Sequence, residues 1–232
     1  MTNDYATALI VGSGAGLSAS LARAFAKAGL KVALAARNTE KLATLCAETK
    51  AVAFACDVSD PGQVSRLFAN VDAQLGGADV VVFNASARAR GPFTTLARED
   101  IERVLRTDAL GAFLVAQEAA RRMVPKGHGA ILFTGASASV KGYAQSAPFA
   151  MGKFAVRGLA QSMARELAPL GVHVGHFIID GVIRWPGRTE PADNPHSLLD
   201  PDAIAANYLH LIRQPRSAWT WEMELRPWVE KF

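Results

Sequence analysis

A doubly wound α/β fold, in which a parallel sheet is covered by helices on both faces, is predicted by three observations. Short runs rich in Val, Ile, Leu and Ala alternate along the chain with longer amphipathic runs. The short runs are apolar almost without interruption, as strands buried on both faces are, whereas a sheet with one wet face alternates apolar and polar residues. A cluster of glycines falls where the first short run meets the first long one.

In chain order, residues 7–11, 31–36, 51–55, 79–83, 130–134 and 172–179 read as strands, each bounded by Gly, Asp or Asn. Helical periodicity covers 16–28, 39–48, 61–74, 98–124 and 149–170. Asp60-Pro61 sets an N-cap before a proline in the first turn, and Asn38 or Thr39 suits the same role for the helix before it. Such strand–helix–strand units wind right-handed and give three layers. Residues 185–197 hold Pro186, Gly187, Pro191 and Pro195 without periodicity, so a surface lid is expected at about 184–200. A short helix over 201–213 and a last strand over 220–225 complete the chain. The 232 residues show no repeat or linker and read as one domain, 1–232.

Composition narrows the function classes. No apolar run approaches the roughly 20 residues that span a bilayer. The polar start, Met1 to Tyr5, runs directly into a strand and leaves no room for a signal peptide, so a cytoplasmic protein is expected. Cys46 and Cys56 have neither metal-ligand nor disulfide spacing and are expected to be inert buried thiols. The 25 Lys and Arg exceed the 21 Asp and Glu by four, but only Arg121 and Arg122 are adjacent, so nucleic-acid binding is not expected, while an anionic ligand is compatible. His173 and His176 on the sixth strand read as packing residues. His128 falls in a turn, His196 in the lid and His210 on the last helix, so no metal site is expected.

Strand one runs into Gly12-Ser13-Gly14-Ala15-Gly16-Leu17-Ser18. Glycines there allow a tight turn and a close backbone approach to a pyrophosphate, to which the following helix presents its partly positive N-terminus. The spacing Gly12-x-x-x-Gly16 resembles the T-G-x-x-x-G-I-G loop of the short-chain dehydrogenase/reductase family, with Val11 at the Thr, Leu17 at the Ile and Ser18 at the last Gly. Strand two ends in Ala36-Arg37, where an acidic residue would favour NAD. Arg37 can instead clamp a 2′-phosphate, so NADP is expected over NAD. Asp57-Val58 resembles the family's adenine contact, and Asn84-Ala85 two positions of its N-N-A-G motif, from which Phe83 and Ser86 depart. The resemblance extends from residue 7 to about 168.

The family reduces carbonyls with a Tyr proton donor, a Lys, a Ser and an Asn. Gly158 to Pro169 resembles the family's helix and sets the alignment: Lys153 is present, but Phe149 stands at the Tyr, Ala136 at the Ser and Asp108 at the Asn. A phenyl ring has no proton to give, and general acid catalysis is worth ~10²–10⁴-fold. Ser137 and Tyr143 are the leading substitutes, with Ser139 nearby; Asp180 is either a displaced acid or, preferably, a turn former. The resemblance places Gly181 and Ile183 beside the nicotinamide. It leaves Arg184, Trp185 and Arg188 at the start of the lid as substrate contacts or as ordinary exposed residues.

The resemblance therefore implies a Rossmann fold of about seven strands in the order 3-2-1-4-5-6-7. It also implies a homodimer or homotetramer formed through the helices at 98–124 and 149–170, and the aromatic end (Trp219, Trp221, Trp228, Phe232) is expected at a subunit contact. The expected activity is NADP-dependent oxidoreduction of a small carbonyl or alcohol with an altered proton donor. NADP binding without turnover is the alternative, and a lyase or isomerase is a lesser one.

Overall fold

A computed structural model describes residues 5–230, so Met1 and Phe232 lie outside the described residues. In chain order the strands are β1 (Thr7–Val11), β2 (Lys31–Ala36), β3 (Val52–Ala55), β4 (Val80–Phe83), β5 (Gly129–Thr134), β6 (Val172–Ile179), β7 (Val182–Ile183), β8 (Leu198–Leu199) and β9 (Glu222–Leu225). Seven of them form one parallel sheet in the order β3-β2-β1-β4-β5-β6-β9, the expected topology; β7 and β8 pair separately. The strand order reverses at β1. Val11 pairs with Ala35 of β2 on one side and Phe83 of β4 on the other, so three carboxyl ends open together at the switch point.

The helices are α1 (Leu17–Lys27), α2 (Ala43–Thr49), α3 (Pro61–Leu75), α4 (Arg98–Leu105), α5 (Gly111–Met123), α6 (Ala147–Leu167) and α7 (Pro201–Ile212). The period of two along β1 divides the core. Leu9 and Val11 pack with α3, α5 and α6, while Ala8 and Ile10 pack with α1, α2 and α7. On the second face Phe177 stacks on Tyr208 at 3.6 Å, and the Tyr208 hydroxyl lies 2.8 Å from that of Thr134.

Caps explain the element ends. The Asp60 carboxylate accepts from the Gln63 amide at 3.0 Å, with Pro61 following. Asn38 accepts from the Glu40 amide at 2.9 Å but opens a 3-10 turn, Glu40–Leu42, so α2 starts later than its periodicity suggests. Pro148 in the first turn starts α6 before Phe149, and a 3-10 turn, Ala168–Leu170, ends it early. The lid is tied at its base by β7 and β8, so Leu198 and Leu199 are strand residues.

The expected single helix over 98–124 is a correction. Its middle, Arg106–Leu110, is a π-helical turn between α4 and α5. One residue more than an α-turn holds is accommodated there, and Asp108 in this turn is fully buried. Among the described residues no helix is long and apolar enough to cross a membrane.

Candidate active site

At the switch point the backbone of the glycine loop is partly committed and partly free. The amides of Gly12 and Ser13 donate to the Ala35 carbonyl at 3.0 and 2.9 Å, and the Ser13 hydroxyl donates to that of Ile10. Gly12 has φ +90°, and a Cβ there would lie 2.3 Å from the Ala85 amide nitrogen, so only glycine lets β1 and β4 end this close. Asn84 closes the junction, donating its amide to the Val11 carbonyl and its side chain to that of Gly12. The Ser18 hydroxyl accepts from the Gly14 amide at 2.9 Å, doing locally what a third glycine would leave undone.

The amides of Ala15, Gly16, Leu17 and Ser18 meet no acceptor among the described residues, and a Cβ on Gly14 or Gly16 would touch nothing within 4 Å. This is an open cradle of N–H donors at the start of α1, which suits a diphosphate. Beside it runs a cleft of about 480 Å³ whose walls include Gly12, Ser13, Arg37, Asp57, Val58, Asn84 and Ala85, gathered as the loop motifs suggest. Arg37 and Lys41 are exposed at its rim.

Asp57 uses its carboxylate on the amide and hydroxyl of Ser59, at 2.9 and 2.7 Å, while Asp60 caps the helix. Cys56 lines the cleft, and burial pushes its thiol up to about 11. Cys46 is only half-buried, contrary to expectation, because α2 lies at the surface.

Arg88 on the cleft wall leads to a group of apolar side chains. Ala136, Ala138 and Phe149 form a small cluster of their own. Lys153, one turn along α6 from Phe149, is buried and donates to the Thr134 carbonyl at 2.9 Å. Asp108 accepts from the Ala87 amide at 2.7 Å and the Ser86 hydroxyl at 3.1 Å. A Cβ on Gly152 would sit 2.9 Å from that of Asp108, so the glycine lets α6 cross the π-turn closely. Burial raises the Asp108 carboxyl above its usual range against the pull of Lys153, and lowers Lys153 against the pull of Asp108. The Arg88 guanidinium lies over the Phe149 ring, 4.3 Å from its centre. Neither Arg88 nor Gly152 stands out in the sequence, and Ser86 does so only as a departure from the N-N-A-G motif; the one local signal for Arg88 is Arg88-x-Arg90 directly after that motif.

The substitutes separate. Ser137 is half-buried in the turn after Ala136, and Tyr143 is 49% exposed. Ser139 is buried, its hydroxyl accepting from the Ala136 amide and lying 3.4 Å from His176 Nε2. Asp180 corrects the turn reading: it is buried, and its carboxylate accepts from Arg226 at 2.5 Å and Lys141 at 3.2 Å, which hold it below the usual carboxylate range against the effect of burial. Gly181 packs against Pro227, and Ile183 pairs with Leu199. At the lid, Arg184 pairs with Asp200, and Arg188 lies over Trp185. His173 stacks on Trp219 at 4.5 Å, and Trp228 is 81% exposed. Among the described residues no group of three His, Cys, Asp or Glu is placed to hold a metal.

A diphosphate cradle at the switch point of a seven-stranded parallel sheet defines a dinucleotide-binding α/β protein. The model of the short chain dehydrogenase family matches residues 6–186, and the chain belongs to that family. It is similar to a short-chain dehydrogenase structure from Rhodopseudomonas palustris, with 36% identity and a TM-score of 0.83 over 96% of this chain and 99% of that one. Momilactone A synthase of Oryza sativa subsp. japonica is 35% identical over 210 residues, 88% of this chain and 75% of the synthase. An alcohol dehydrogenase from Thermococcus sibiricus complexed with 5-hydroxy-NADP shares the fold at 23% identity and a TM-score of 0.84, over 97% and 98% of the two chains.

Proposed function

We propose that the protein is an NADP(H)-preferring short-chain oxidoreductase for a small carbonyl or alcohol, with a proton donor other than residue 149. The observation that carries this reading is the set of free amides at Ala15 to Ser18, in the same loop as Gly12 and Ser13, which line a cleft with Arg37 and Lys41 at its rim. The loop amides would hold the diphosphate, Arg37 the 2′-phosphate and Lys153 the nicotinamide ribose hydroxyls. Asp57, Val58, Asn84 and Ala85 would line the adenosine half, with Gly181 and Ile183 on the nicotinamide side. When bound, NADPH supplies a hydride to a carbonyl carbon.

The oxygen left by that transfer needs a proton and hydrogen-bond donors. On the family alignment Phe149 stands at the tyrosine, Ala136 at the serine and Asp108 at the asparagine, and the apolar Ala136–Ala138–Phe149 cluster accords with that. Ser137 is the better substitute donor, since it is half-buried next to Ala136 and its hydroxyl has no partner among the described residues. Tyr143 reaches the cleft only if its loop folds inward. Segment 184–200 serves as the lid, and the chain assembles as a homodimer or homotetramer.

The same cluster favours one second reading, NADPH binding without turnover. Titration of NADPH fluorescence followed by a panel of aldehydes and ketones separates the two. Oxidation of NADPH that disappears in Ser137→Ala supports the first. Tight binding with no oxidation supports the second, and then the double variant Phe149→Tyr, Ala136→Ser gains reductase activity. Failure to bind either nicotinamide coenzyme rejects both.

A further inference from the structure

We infer that Arg88 is a carboxylate-binding group, and that the compound accepted against Phe149 carries a carboxylate. The inference names a substrate class for the oxidoreductase reading and rests on that reading for the word substrate. Three observations on the structure lead to it.

The first is anchoring. Arg88 follows Ser86 and Ala87, both bonded to the buried Asp108, so its backbone leaves β4 from a fixed point. Its own carbonyl accepts from Arg103 at 3.3 Å, which ties the same point to α4. The guanidinium then lies 4.3 Å from the centre of the Phe149 ring, an orientation that a flat aromatic face imposes on a flat cation. Phe149 is itself buried, so the platform is rigid.

The second is that the donors remain unspent. Arg23, Arg122, Arg157 and Arg184 each meet a carboxylate within 2.7 Å. Among the described residues no carboxylate lies within ion-pair distance of Arg88, on which the buried Asp108 acts only from farther away, and its guanidinium donates no hydrogen bond. A ring face attracts the cation but takes up none of its in-plane N–H groups, and these match a carboxylate in bidentate fashion.

The third is the absence of competitors. The neighbouring Ala136, Ala138 and Phe149 offer no hydroxyl, Lys153 donates to the Thr134 carbonyl and would turn its remaining N–H groups to the coenzyme ribose, and Asp108 accepts from Ser86 and Ala87. Apart from the Ser137 hydroxyl, which the substrate carbonyl would take, a neutral ligand against Phe149 thus finds apolar carbon, while a carboxylate finds Arg88. Arg37 and Lys41 are also cations at the rim, but they stand at and just beyond the end of β2, where NADPH would occupy them.

The test compares acetoacetate with methyl acetoacetate, which differ only in the anionic group, on the full chain with and without saturating NADPH. Calorimetry or saturation-transfer NMR gives the two affinities. The expected result with NADPH is a preference for acetoacetate of about tenfold or more, the effect of a charge-assisted pair. Arg88→Met abolishes the preference, Arg88→Lys keeps part of it, and Arg165→Met, an exposed arginine near the other end of α6 that donates to the Gln161 carbonyl, keeps it whole. Phe149→Leu reduces it, because the platform is lost. Equal affinities in the wild type, no binding of either probe, or a preference that survives Arg88→Met overturns the inference. If NADPH fails to bind while acetoacetate is preferred through Arg88, the carboxylate site stands and the oxidoreductase reading falls.

Discussion

Acid should destabilise this fold well before its carboxylates are protonated, through the buried imidazole of His176 and, in the same direction, that of His173. His176 lies on β6 beneath the turn that follows β5, with its side chain fully buried. Its Nδ1 is 3.1 Å from Glu222, which also takes two hydrogen bonds from Arg157 at 2.7 and 2.8 Å. The ionised Glu222 only accepts, so Nδ1 carries the proton and the neutral ring is complete. Burial outweighs the pull of Glu222 and pushes the His176 pKa down from 6.5 to about 4. The unfolded chain takes up its proton near 6.5 and the folded chain only near 4, so the histidine's contribution is full above 6.5 and is lost as the pH falls through that window. One pKa unit corresponds to about 1.4 kcal/mol, so the loss is about 2 kcal/mol between pH 7 and pH 5 and about 3 kcal/mol by pH 4. Urea unfolding at pH 7 and pH 5, where ordinary carboxylates remain ionised, should show it. His176→Asn keeps a donor for Glu222 but cannot titrate, and its stability should fall about 2 kcal/mol less than the wild type's over the same interval. Parallel losses in the two proteins would refute the reasoning.

Arg37→Ala should weaken NADPH by about 10- to 100-fold and leave NADH nearly unchanged, since only the former has a phosphate for the guanidinium; fluorescence titration of both coenzymes measures it. Asp108→Leu strands the buried Lys153 charge and leaves the Ala87 amide without an acceptor, for a loss of about 3–5 kcal/mol in urea unfolding. A loss below about 1 kcal/mol would mean that Lys153 is neutral or otherwise paired. Gly12→Ala combines a positive φ with a backbone clash against Ala85 and should cost about 2–3 kcal/mol while abolishing coenzyme binding.

How far the sequence was legible follows from the range of each interaction. The strands were readable because burial on both faces makes each a continuous apolar run, and 80–83 and 172–179 needed no partner to be recognised. The glycine loop was readable for a related reason: Gly12 acts through its positive φ and the close approach of β4, and Gly14 and Gly16 leave the loop surface open, features that lie in a few consecutive residues. Helical periodicity over 98–124 was equally plain, yet it hid the π-turn, because one inserted residue barely disturbs an amphipathic pattern. What accompanies that insertion lies 21 and 22 residues away, where Ala87 and Ser86 bond Asp108.

The same holds for Asp180, whose local sequence, Ile179-Asp180-Gly181, is that of a turn. Its cations come from Lys141 and Arg226, 39 and 46 residues distant, and no window of sequence brings them together. Arg88 over Phe149 belongs to this class as well. Aligning residue 149 with a family tyrosine identifies a missing hydroxyl, but it cannot reveal that the flat face left behind seats a cation from the β4 loop. Folding assembles the charge of this cleft from segments far apart in the chain. Its electrostatics therefore depend on tertiary pairing, while its backbone cradle depends on a few consecutive residues. A substitution in the loop should accordingly abolish coenzyme binding outright, whereas one at Asp108 or Arg88 should redistribute charge and change what binds beside it.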